Sequence, residues 1–580
     1  MKFKFCLFGL LILGLGHPIA QSKKYSLQCV FLDQKDEIIL RKFSYQKNHT
    51  DSLAAVQELN NFLQTLQNQA YWQATAEQIY LHSDSLIAQI RLGERYYWEN
   101  LKQGNLSPAL SAEIGFKEKN YSQQPFIFQD WLDMKDKILD YSENHGLPFA
   151  SIRLDSIRFQ GNKVSAVLNY DPGKEILLDT LILEGNARLR KNFLLRMLNM
   201  KNGQLFGQQK VEQANRILSR LPYLQLNEPP SVVFKGELAY VKLNLNRKKS
   251  NQIDGILGIF PNESQGKTLI TGEFNLDLKN LFASGKNLHI QWQRLQSQSQ
   301  LLDLHYLHPV ILGSKLDFSF DFYLLRQDSS FLNRKISLNI WYNLFDSGKF
   351  SLNFTSRRST LGSENLFREF NSLPEVSEIN FFSYGLTYQW NNLDDIFYPS
   401  KGIRVDLSLN IGTKNIIPNP FVADSLYEGI TLKTTQVLLE GSFEKYFPIG
   451  RRFVILTKIR AARIFNKNLF LNELYRLGGI KSLRGHNENS FFASTFTLAT
   501  LESRWFIDKE SYFFLFYDQG FLQRDLIGDI QVDYPLGVGL GVSFSIKAGI
   551  FNLVYALGKS NTQEFNFGRS KVHFGLISRF

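Results

Sequence analysis

A strict alternation of apolar and polar residues runs through the last 330 or so residues of this 580-residue chain, with no helical pattern between the runs. In residues 315–322, and again in residues 403–411, every second residue is apolar and its neighbours are polar or charged. Successive side chains of a strand point to opposite faces, so each run has one apolar and one polar face. Such runs suit either a soluble β-sandwich with its apolar face inward or a membrane barrel with its apolar face outward.

The length and number of the runs favour the barrel. Many runs are about 10 residues long and carry aromatic residues near their ends, as transmembrane β-strands do. The chain holds 49 Phe and 24 Tyr but only 4 Met, a balance that suits strands better than helical bundles. At about 20 residues for each strand and its loop, residues 249–580 hold about 16 strands, an even number as bacterial barrels have. We therefore predict an all-β transmembrane barrel there.

The N-terminus has the layout of a secretory signal peptide in residues 1–20. Two lysines precede an apolar core at residues 5–16, and a short boundary ends at Ala20. A membrane helix needs about 20 apolar residues, which is more than this core provides. Cleavage would remove Cys6 and leave Cys29 as the single cysteine, so we expect no intrachain disulfide.

Residues between the leader and the barrel mix helical and strand patterns. The combination recurs three times, in stretches of about 70 to 80 residues that read as strand, helix, helix, strand, strand. The third stretch is the clearest, with helical spacing at residues 192–198 and 211–221 and alternation at residues 239–245. We predict three α/β domains, which span residues 21–95, 96–175 and 176–248.

A polar, glycine-bearing insertion at residues 476–490 interrupts the alternating runs and is predicted to be a long loop. Arg484 is its candidate functional residue. Two later strands carry acidic residues that could receive this cation: Glu502 in one, and Asp518 in the other, where Asp518 and Gly520 share a face within the pattern F-x-D-x-G. An arginine that folds back into the barrel would therefore meet an acidic wall.

The order of these pieces resembles the BamA/TamA-like outer-membrane assembly and translocation family. In that family an R-G-F/Y loop tip lies inside a barrel of 16 strands; here the tip is Arg484-Gly485-His486, with histidine in place of the usual aromatic residue. Residues 394–402 and 446–453 also resemble family segments. The Leu-Glu-Gly-Asn start of the third α/β domain at residues 183–186 resembles a POTRA domain, the family's periplasmic module, and the first domain matches this module least well.

The resemblance implies α+β periplasmic POTRA-like domains followed by the barrel, in the bacterial outer membrane. It implies the insertion or movement of unfolded outer-membrane or secreted polypeptides, contact with outer-membrane lipid, and periplasmic or inner-membrane partner proteins bound through the POTRA-like domains. Such modules bind by adding an extended client strand to a sheet edge. A dedicated secretion pore for one partner protein and a lipid-handling barrel remain alternative functions.

The seam between the first and last barrel strands is the predicted site of opening. Two glycines weaken the first strand, and the last strand ends in an aromatic residue that resembles the C-terminal insertion signal of barrel proteins. The residues predicted to form the seam are Ile253, Gly255, Gly258, Phe260, Val572, Phe574 and Phe580.

Other functional classes have little support in the sequence. The net charge is +12, yet there is no run of five Lys or Arg residues, so we expect no nucleic-acid partner. Nucleophile-elbow and H-E-x-x-H motifs are missing, and Gly266-Lys-Thr268 lacks the leading glycine of a phosphate loop because Pro261 stands there. His305 and His308 would face opposite sides of a strand. We expect no enzymatic activity, no cofactor and no metal site.

Overall fold

The computed structural model describes residues 25–33, 43–82, 84–262, 267–294, 299–344, 348–362, 373–395, 397–546 and 549–579. The predicted signal peptide lies outside these residues. The chain divides into two compact units. The first reaches residue 176 and includes residues 205–208, and the second holds residues 177–204 and 209–580.

Two small α/β sheets make up the first compact unit. The first sheet has the order β2-β1-β4-β3 and is covered by helix α1, which buries Leu59, Phe62 and Leu66 at helical spacing. The second sheet has the order β5-β7-β6, and helix α3 buries Trp131 and Ile138 beside it. The elements are β1 Tyr25–Phe31, β2 Asn48–His49, α1 Ser52–Asn68, β3 Thr75–His82, β4 Ser85–Arg91, β5 Tyr97–Lys102, α2 Pro108–Glu113, α3 Phe128–Asn144, β6 Ser151–Gln160 and β7 Lys163–Asp171.

A third α/β sheet, which we call the third module, belongs to the second compact unit. Strand β11 lies at its centre, parallel to β8 and antiparallel to β10, and β9 pairs with the far end of β11. Its elements are β8 Leu177–Glu184, α4 Lys191–Met197, α5 Gln208–Ser219, β9 Leu224–Leu226, β10 Ser231–Lys235 and β11 Leu238–Arg247. None of the helices that the structure describes combines the length and the apolar character that crossing a bilayer requires.

The rest of the second compact unit is a closed antiparallel barrel. Its strands are β12 Gln252–Asn262, β13 Lys267–Leu281, β14 Lys286–Arg294, β15 Gln300–His308, β16 Leu316–Gln327, β17 Phe331–Asn343, β18 Lys349–Leu361, β19 Glu378–Asn391, β20 Gly402–Ile417, β21 Lys433–Ile449, β22 Phe453–Phe465, β25 Thr495–Phe506, β26 Tyr512–Leu526, β27 Asp529–Asp533, β28 Leu536–Ile546, β29 Gly549–Lys559 and β30 Lys571–Arg579. Two short strands, β23 Tyr475–Leu477 and β24 Phe491–Ala493, pair with each other in the loop between β22 and β25.

One barrel strand is interrupted. Strands β27 and β28 both pair with β26, on either side of Tyr534-Pro535. Proline has no backbone N–H to donate to a ladder, which explains a break at this point. The seventeen described segments therefore occupy sixteen strand positions. The predicted fold class, α/β domains followed by an antiparallel barrel of about 16 strands, is confirmed.

The exterior of the barrel is apolar and its interior is polar. A row of directly paired residues crosses five strands on the outer face, each residue 37 to 54 % exposed: Ile340, Leu352, Leu386, Leu409 and Leu439. On the inner face the alternate positions are polar and buried, among them Ser337, Asn339, Ser351, Asn353 and Ser383. A continuous apolar exterior of this extent is unfavourable in water and suits a lipid environment.

Candidate functional site

The loop between β22 and β25, residues 466–494, lies against the inner wall of the barrel, and we call it the inner loop. Its short strands β23 and β24 pair as a hairpin whose tip is residues 478–490. Leu483 in the tip is fully buried and packs in one apolar cluster with Phe496 of β25 and Leu522 of β26. Apolar packing therefore holds the tip beside these two strands, and contacts of charged groups hold it there as well.

Arg484 is the centre of the polar contacts at the tip. Its Nε donates to Asp518 Oδ2 at 2.7 Å, and its Nη2 donates to Asp518 Oδ1 at 2.8 Å. The remaining amine, Nη1, donates to Glu502 Oε2 at 2.6 Å. The guanidinium also lies 3.6 Å from the ring centroid of Phe516. Bidentate, charge-assisted contacts of this kind are the strong class of hydrogen bond, and the aromatic face adds a cation–π interaction.

A second arginine completes the cluster. Arg504 Nε donates to Glu502 Oε1 at 2.8 Å, so two cations and two carboxylates balance each other. Glu502, Arg504 and Asp518 are 5, 8 and 1 % exposed. Burial of an unpaired charge is costly, so the balance of charge is what allows this cluster inside the barrel. The structure thus brings together Arg484, Glu502 and Asp518, which the sequence singled out, and adds Arg504, which it did not.

Glycines let the tip approach the barrel wall closely. Gly485 has a φ of +87°, and a Cβ there would lie 2.5 Å from the carbonyl carbon of Leu557 on β29. A Cβ at Gly537 on β28 would collide with the carbonyl oxygen of Arg484 itself. Gly520, the last residue of the F-x-D-x-G pattern, faces Pro535, whose Cγ would be 2.8 Å from an added Cβ.

His486 occupies the position where the family usually has an aromatic residue. The side chain is 1 % exposed, and its ring meets that of Phe491 edge to face at a centroid distance of 5.0 Å. Its Nε2 lies 3.1 Å from the carbonyl oxygen of Leu536, to which a protonated Nε2 donates. The imidazole therefore packs as a flat ring and adds a polar contact to β28.

A second set of contacts, which was not predicted from the sequence, anchors the base of the inner loop. Lys414 of β20 is fully buried, and its Nζ donates to Glu473 Oε1 at 2.5 Å. Nζ also donates to the carbonyl oxygen of Asn468, and the same Glu473 oxygen accepts from the backbone N–H of Phe470 at 3.0 Å. This buried ion pair joins the loop to a lumenal position of β20.

Asn472 extends the second anchor across neighbouring strands. Its Nδ2 donates to the carbonyl oxygen of Ser377 at 2.8 Å and to the hydroxyl of Ser359. Its own carbonyl oxygen accepts from Arg357 Nη2 at 2.7 Å and from Asn333 Nδ2 at 2.8 Å. The inner loop is thus fixed at its tip to β25, β26, β28 and β29, and at its base to β17–β20.

The seam, by which we mean the pairing of β12 with β30, is short. Among the residues that the structure describes, the two strands pair at Gln252 with Arg579 and at Ile253 with Ser578 alone. By contrast, the β12–β13 ladder extends along the whole of β12, residues 252–262, and the β29–β30 ladder extends over residues 571–577 of β30.

Of the predicted seam residues within the described ranges, Ile253 alone has a partner across the seam. Gly255, Gly258 and Phe260 pair with β13 on the other side of β12. On β30, Val572 and Phe574 pair with β29, and both are exposed on the barrel exterior. Phe580 lies outside the described residues.

These features can be set beside known proteins. The model of the Omp85 superfamily domain matches residues 280–575, which is half of the chain. The chain belongs to the Omp85 superfamily. This confirms the resemblance that the Arg484 loop, the F-x-D-x-G segment and the third module indicated. Membership places this Omp85 protein in the bacterial outer membrane, in a family that inserts or translocates polypeptides.

Solved structures similar to this Omp85 protein include two CdiB proteins and a BamA fragment. CdiB from Escherichia coli is 14 % identical, with 95 % of this chain and 100 % of that chain covered, at a TM-score of 0.51. CdiB from Acinetobacter baumannii is 13 % identical, with 90 and 97 % covered, at a TM-score of 0.53. BamA from Haemophilus ducreyi lacking POTRA domains 1–3 is 16 % identical, with 83 and 100 % covered, at a TM-score of 0.43. At these identities the CdiB likeness concerns the fold.

Proposed function

We propose that this Omp85 protein inserts polypeptides into the outer membrane through its seam, with the α/β domains in the periplasm and without a catalytic step. The observation that carries the proposal is the two-residue pairing of β12 with β30. A client strand that enters there forms main-chain hydrogen bonds with a barrel edge, a mode of binding that tolerates many client sequences.

Opening the seam costs less than separating any other pair of neighbouring barrel strands that the structure describes. Two adjacent pairs in an antiparallel ladder contain about two backbone hydrogen bonds, each with a net stabilisation of about 1 kcal/mol in water. In lipid an unsatisfied backbone group costs several kcal/mol, but the hydrogen bonds of an entering client strand would replace those that are lost. The β12–β13 ladder, which extends over residues 252–262, has no such weak point.

Passage through the lumen would require displacement of the inner loop, which is expensive. Separating a buried ion pair so that one charge stays buried without its partner costs about 3–5 kcal/mol. The loop is held by two separate buried sets, Arg484 with Glu502 and Asp518 at the tip, and Glu473 with Lys414 at the base. Releasing both would cost about 6–10 kcal/mol, so the seam is the easier route.

The orientation follows from the two ends of the barrel. At the end where β11 leads into β12, connections are short, such as the three residues between β21 and β22. At the other end they are longer, such as the inner loop and the fifteen residues between β20 and β21. Outer-membrane barrels have short periplasmic turns and longer extracellular loops. This supports a periplasmic position for the third module.

The first compact unit offers edges for client strands. Strand β3 is the last strand of its sheet, and Ile79, Tyr80 and Leu81 on it are 48, 45 and 65 % exposed. Strand β6 is likewise an edge, with Ile157 and Phe159 exposed. Exposed apolar edge strands recruit extended peptides by main-chain pairing. We propose that these edges receive unfolded clients before they reach the seam.

Locking the seam tests the proposal. In a Cys29→Ser background, Ile253→Cys with Ser578→Cys places two thiols on directly opposite residues, whose Cα atoms lie about 4.5–5.5 Å apart in such ladders and within disulfide range. The matched control is Leu553→Cys with Phe574→Cys, an opposite pair in the continuous β29–β30 ladder. We expect the oxidised seam pair to stop client insertion until a reductant is added, and the oxidised control pair to remain active.

The readout is the outer-membrane proteome after the native copy has been depleted. Loss of many barrel proteins with the locked seam supports insertion. Loss of a single secreted product would identify a dedicated exporter, and a change in lipid composition with normal barrel levels would identify a lipid-handling barrel. Full activity with a quantitatively locked seam would refute lateral opening and leave the lumen as the route.

A further inference from the structure

A cationic cavity lies where the third module meets the rim of the barrel. Its volume is about 550 Å³. Four basic side chains and one histidine line it, and no carboxylate does: Arg190, Lys191, Arg196, Lys286 and His308, with Asn192, Phe193, Ser284, Pro309 and Val310 as the other lining residues. Such a site favours an anion.

The four basic residues of the lining form no ion pairs among the described residues, although Asp317 lies close by and accepts from the backbone N–H of Val310 at 2.9 Å. None of Arg190, Lys191, Arg196 and Lys286 forms an ion pair with another residue in the part of the chain that the structure describes. The surroundings are basic as well. On the neighbouring helix α5, burial together with the charges of Lys315 and Lys201 lowers the pKa of Lys210. Arg190, Lys191 and Arg196 are exposed and Lys286 is half-buried, so their charged groups are accessible to an anionic ligand that enters the cavity.

The cavity lies at the end of the apolar exterior of the barrel. Asn287 and Leu307 are directly paired on β14 and β15, at lumenal positions. Lys286 and His308 each lie one residue beyond this pair, and therefore on the opposite face, which the paired Leu288 and Tyr306 share. The cations thus lie at the edge of the lipid-facing surface. In a bilayer leaflet the phosphates lie at the corresponding edge of the hydrocarbon region.

Two exposed apolar residues each lie two positions along the chain from a lining residue of the cavity, Phe282 from Ser284 and Leu312 from Val310. Phe282, in the turn between β13 and β14, is 73 % exposed with a φ of +56°. Leu312, in the turn between β15 and β16, is fully exposed with a φ of +50°. Bulky residues rarely adopt left-handed backbone, and such strained positions cluster at functional sites. Both side chains are unfavourable in water and favourable in the acyl region of a leaflet.

The third module is fastened to the same turn. The backbone N–H of Arg190 donates to the carbonyl oxygen of Ala283 at 3.0 Å, and Asn280 Nδ2 donates to the carbonyl oxygen of Arg188 at 3.3 Å. A ligand in the cavity would contact α4 of the module and the ends of β14 and β15 together. It would therefore stabilise the junction between module and barrel, two strands away from the seam strand β12.

We propose that this cavity binds the phosphate of an anionic membrane phospholipid, whose acyl chains lie along the exterior of β14 and β15. The inference goes beyond polypeptide insertion and does not depend on it. Charge complementarity selects the phosphate, and the adjoining apolar strands with Phe282 and Leu312 select a lipid over a soluble phosphate ester. The ligand is a resident of the membrane on the module side of the barrel.

Ligand titration of the full chain in a neutral detergent tests this. The probes are dioctanoyl phosphatidylglycerol, glycerol phosphate and dioctanoyl glycerol, and binding is measured by native mass spectrometry and calorimetry. We expect phosphatidylglycerol to bind at least tenfold more tightly than either of the other two. Each cation near a membrane surface contributes about fivefold, so Lys191→Gln with Arg196→Gln and Lys286→Gln should weaken lipid binding about 100-fold.

A control with the same change in charge isolates the site. Lys102→Gln with Lys117→Gln and Lys119→Gln removes three exposed lysines of the first compact unit and should leave lipid binding unchanged. Phe282→Ser with Leu312→Ser should weaken lipid binding and leave glycerol phosphate binding as it was. Folding of each variant is checked by the heat-dependent electrophoretic shift of the barrel.

Three results would overturn the proposal. The cavity would not be the lipid site if the neutralised variant folds and binds phosphatidylglycerol as the parent does. Equal affinity for glycerol phosphate and for the lipid would make it a soluble-phosphate site. Tighter binding of an acidic peptide than of the lipid would make it a protein-docking site.

Discussion

Substitution of Lys414 by methionine is expected to release the base of the inner loop. The change keeps an unbranched side chain of similar length but removes the cation that pairs with Glu473, which is 4 % exposed. A buried carboxylate without its partner costs about 3–5 kcal/mol. The structure avoids this cost if the loop leaves the wall, so the equilibrium between seated and released loop should shift about 150-fold or more toward release.

Electrical conductance across a planar bilayer measures this shift, because an inner loop that leaves the wall widens the path for ions. We expect Lys414→Met to increase the open fraction strongly. Glu473→Gln in addition should restore much of the closed state, because replacing both charged partners is often close to neutral. This double variant forms a cycle that isolates the interaction between the two side chains.

Lys458→Met is the matched control for this experiment. Lys458 also pairs across the lumen wall, with Glu444 at 2.8 Å, but its side chain is 32 % exposed. Half-exposed ion pairs contribute about 1 kcal/mol or less. A conductance for Lys414→Met equal to that of the parent, or a Lys458→Met effect of the same size, would refute the claim that burial makes the base of the loop a strong anchor.

Three further outcomes are expected. Arg484→Ala should reduce client insertion more than it lowers the amount of this protein in the membrane, since it leaves two buried carboxylates with one cation. Lys481→Ala should have little effect. Both variants are assayed by the levels of barrel proteins in depleted cells. Gly537→Ala should loosen the tip, because its Cβ would meet the Arg484 carbonyl oxygen, and limited proteolysis of the loop should reveal this. Burial raises the pKa of the Cys29 thiol to about 12, so the folded first unit should resist maleimide at neutral pH and react on denaturation, whereas fast labelling without denaturant would contradict the described core.

Much of the architecture was predictable because alternation is a local property. Runs such as residues 403–411 show each strand and its lumenal face directly. The tip contacts were predictable because Arg484 belongs to a recognisable motif and Asp518 to another. The spacing in the strand places Arg504 on the same face as Glu502, but the predicted site did not include Arg504, which the structure pairs with Glu502.

Contacts between distant segments were not predictable from the same reasoning. Lys414 and Glu473 are 59 residues apart, and neither lies in a motif. A charged residue at a lumenal position of an alternating strand indicates that an oppositely charged partner lies nearby. The pattern does not identify that partner. The length of the seam was not predictable either. Alternation identifies the strands, but their register depends on the pairing of all strands in the barrel. The predicted seam residues therefore included several that pair within the wall.

The same register indicates where an entering strand would gain hydrogen bonds under the proposed function. Beyond Ile253, no described residue of β12 has a partner on β30, so the rest of the described edge has no ladder with the last strand. An unsatisfied backbone group in hydrocarbon costs several kcal/mol, and a closed barrel normally leaves none. A client strand that pairs with residues 254–262 would satisfy these groups while the inner loop keeps both of its anchors. On the route proposed above, the free energy for insertion would come from completing this edge, and the inner loop would not need to move.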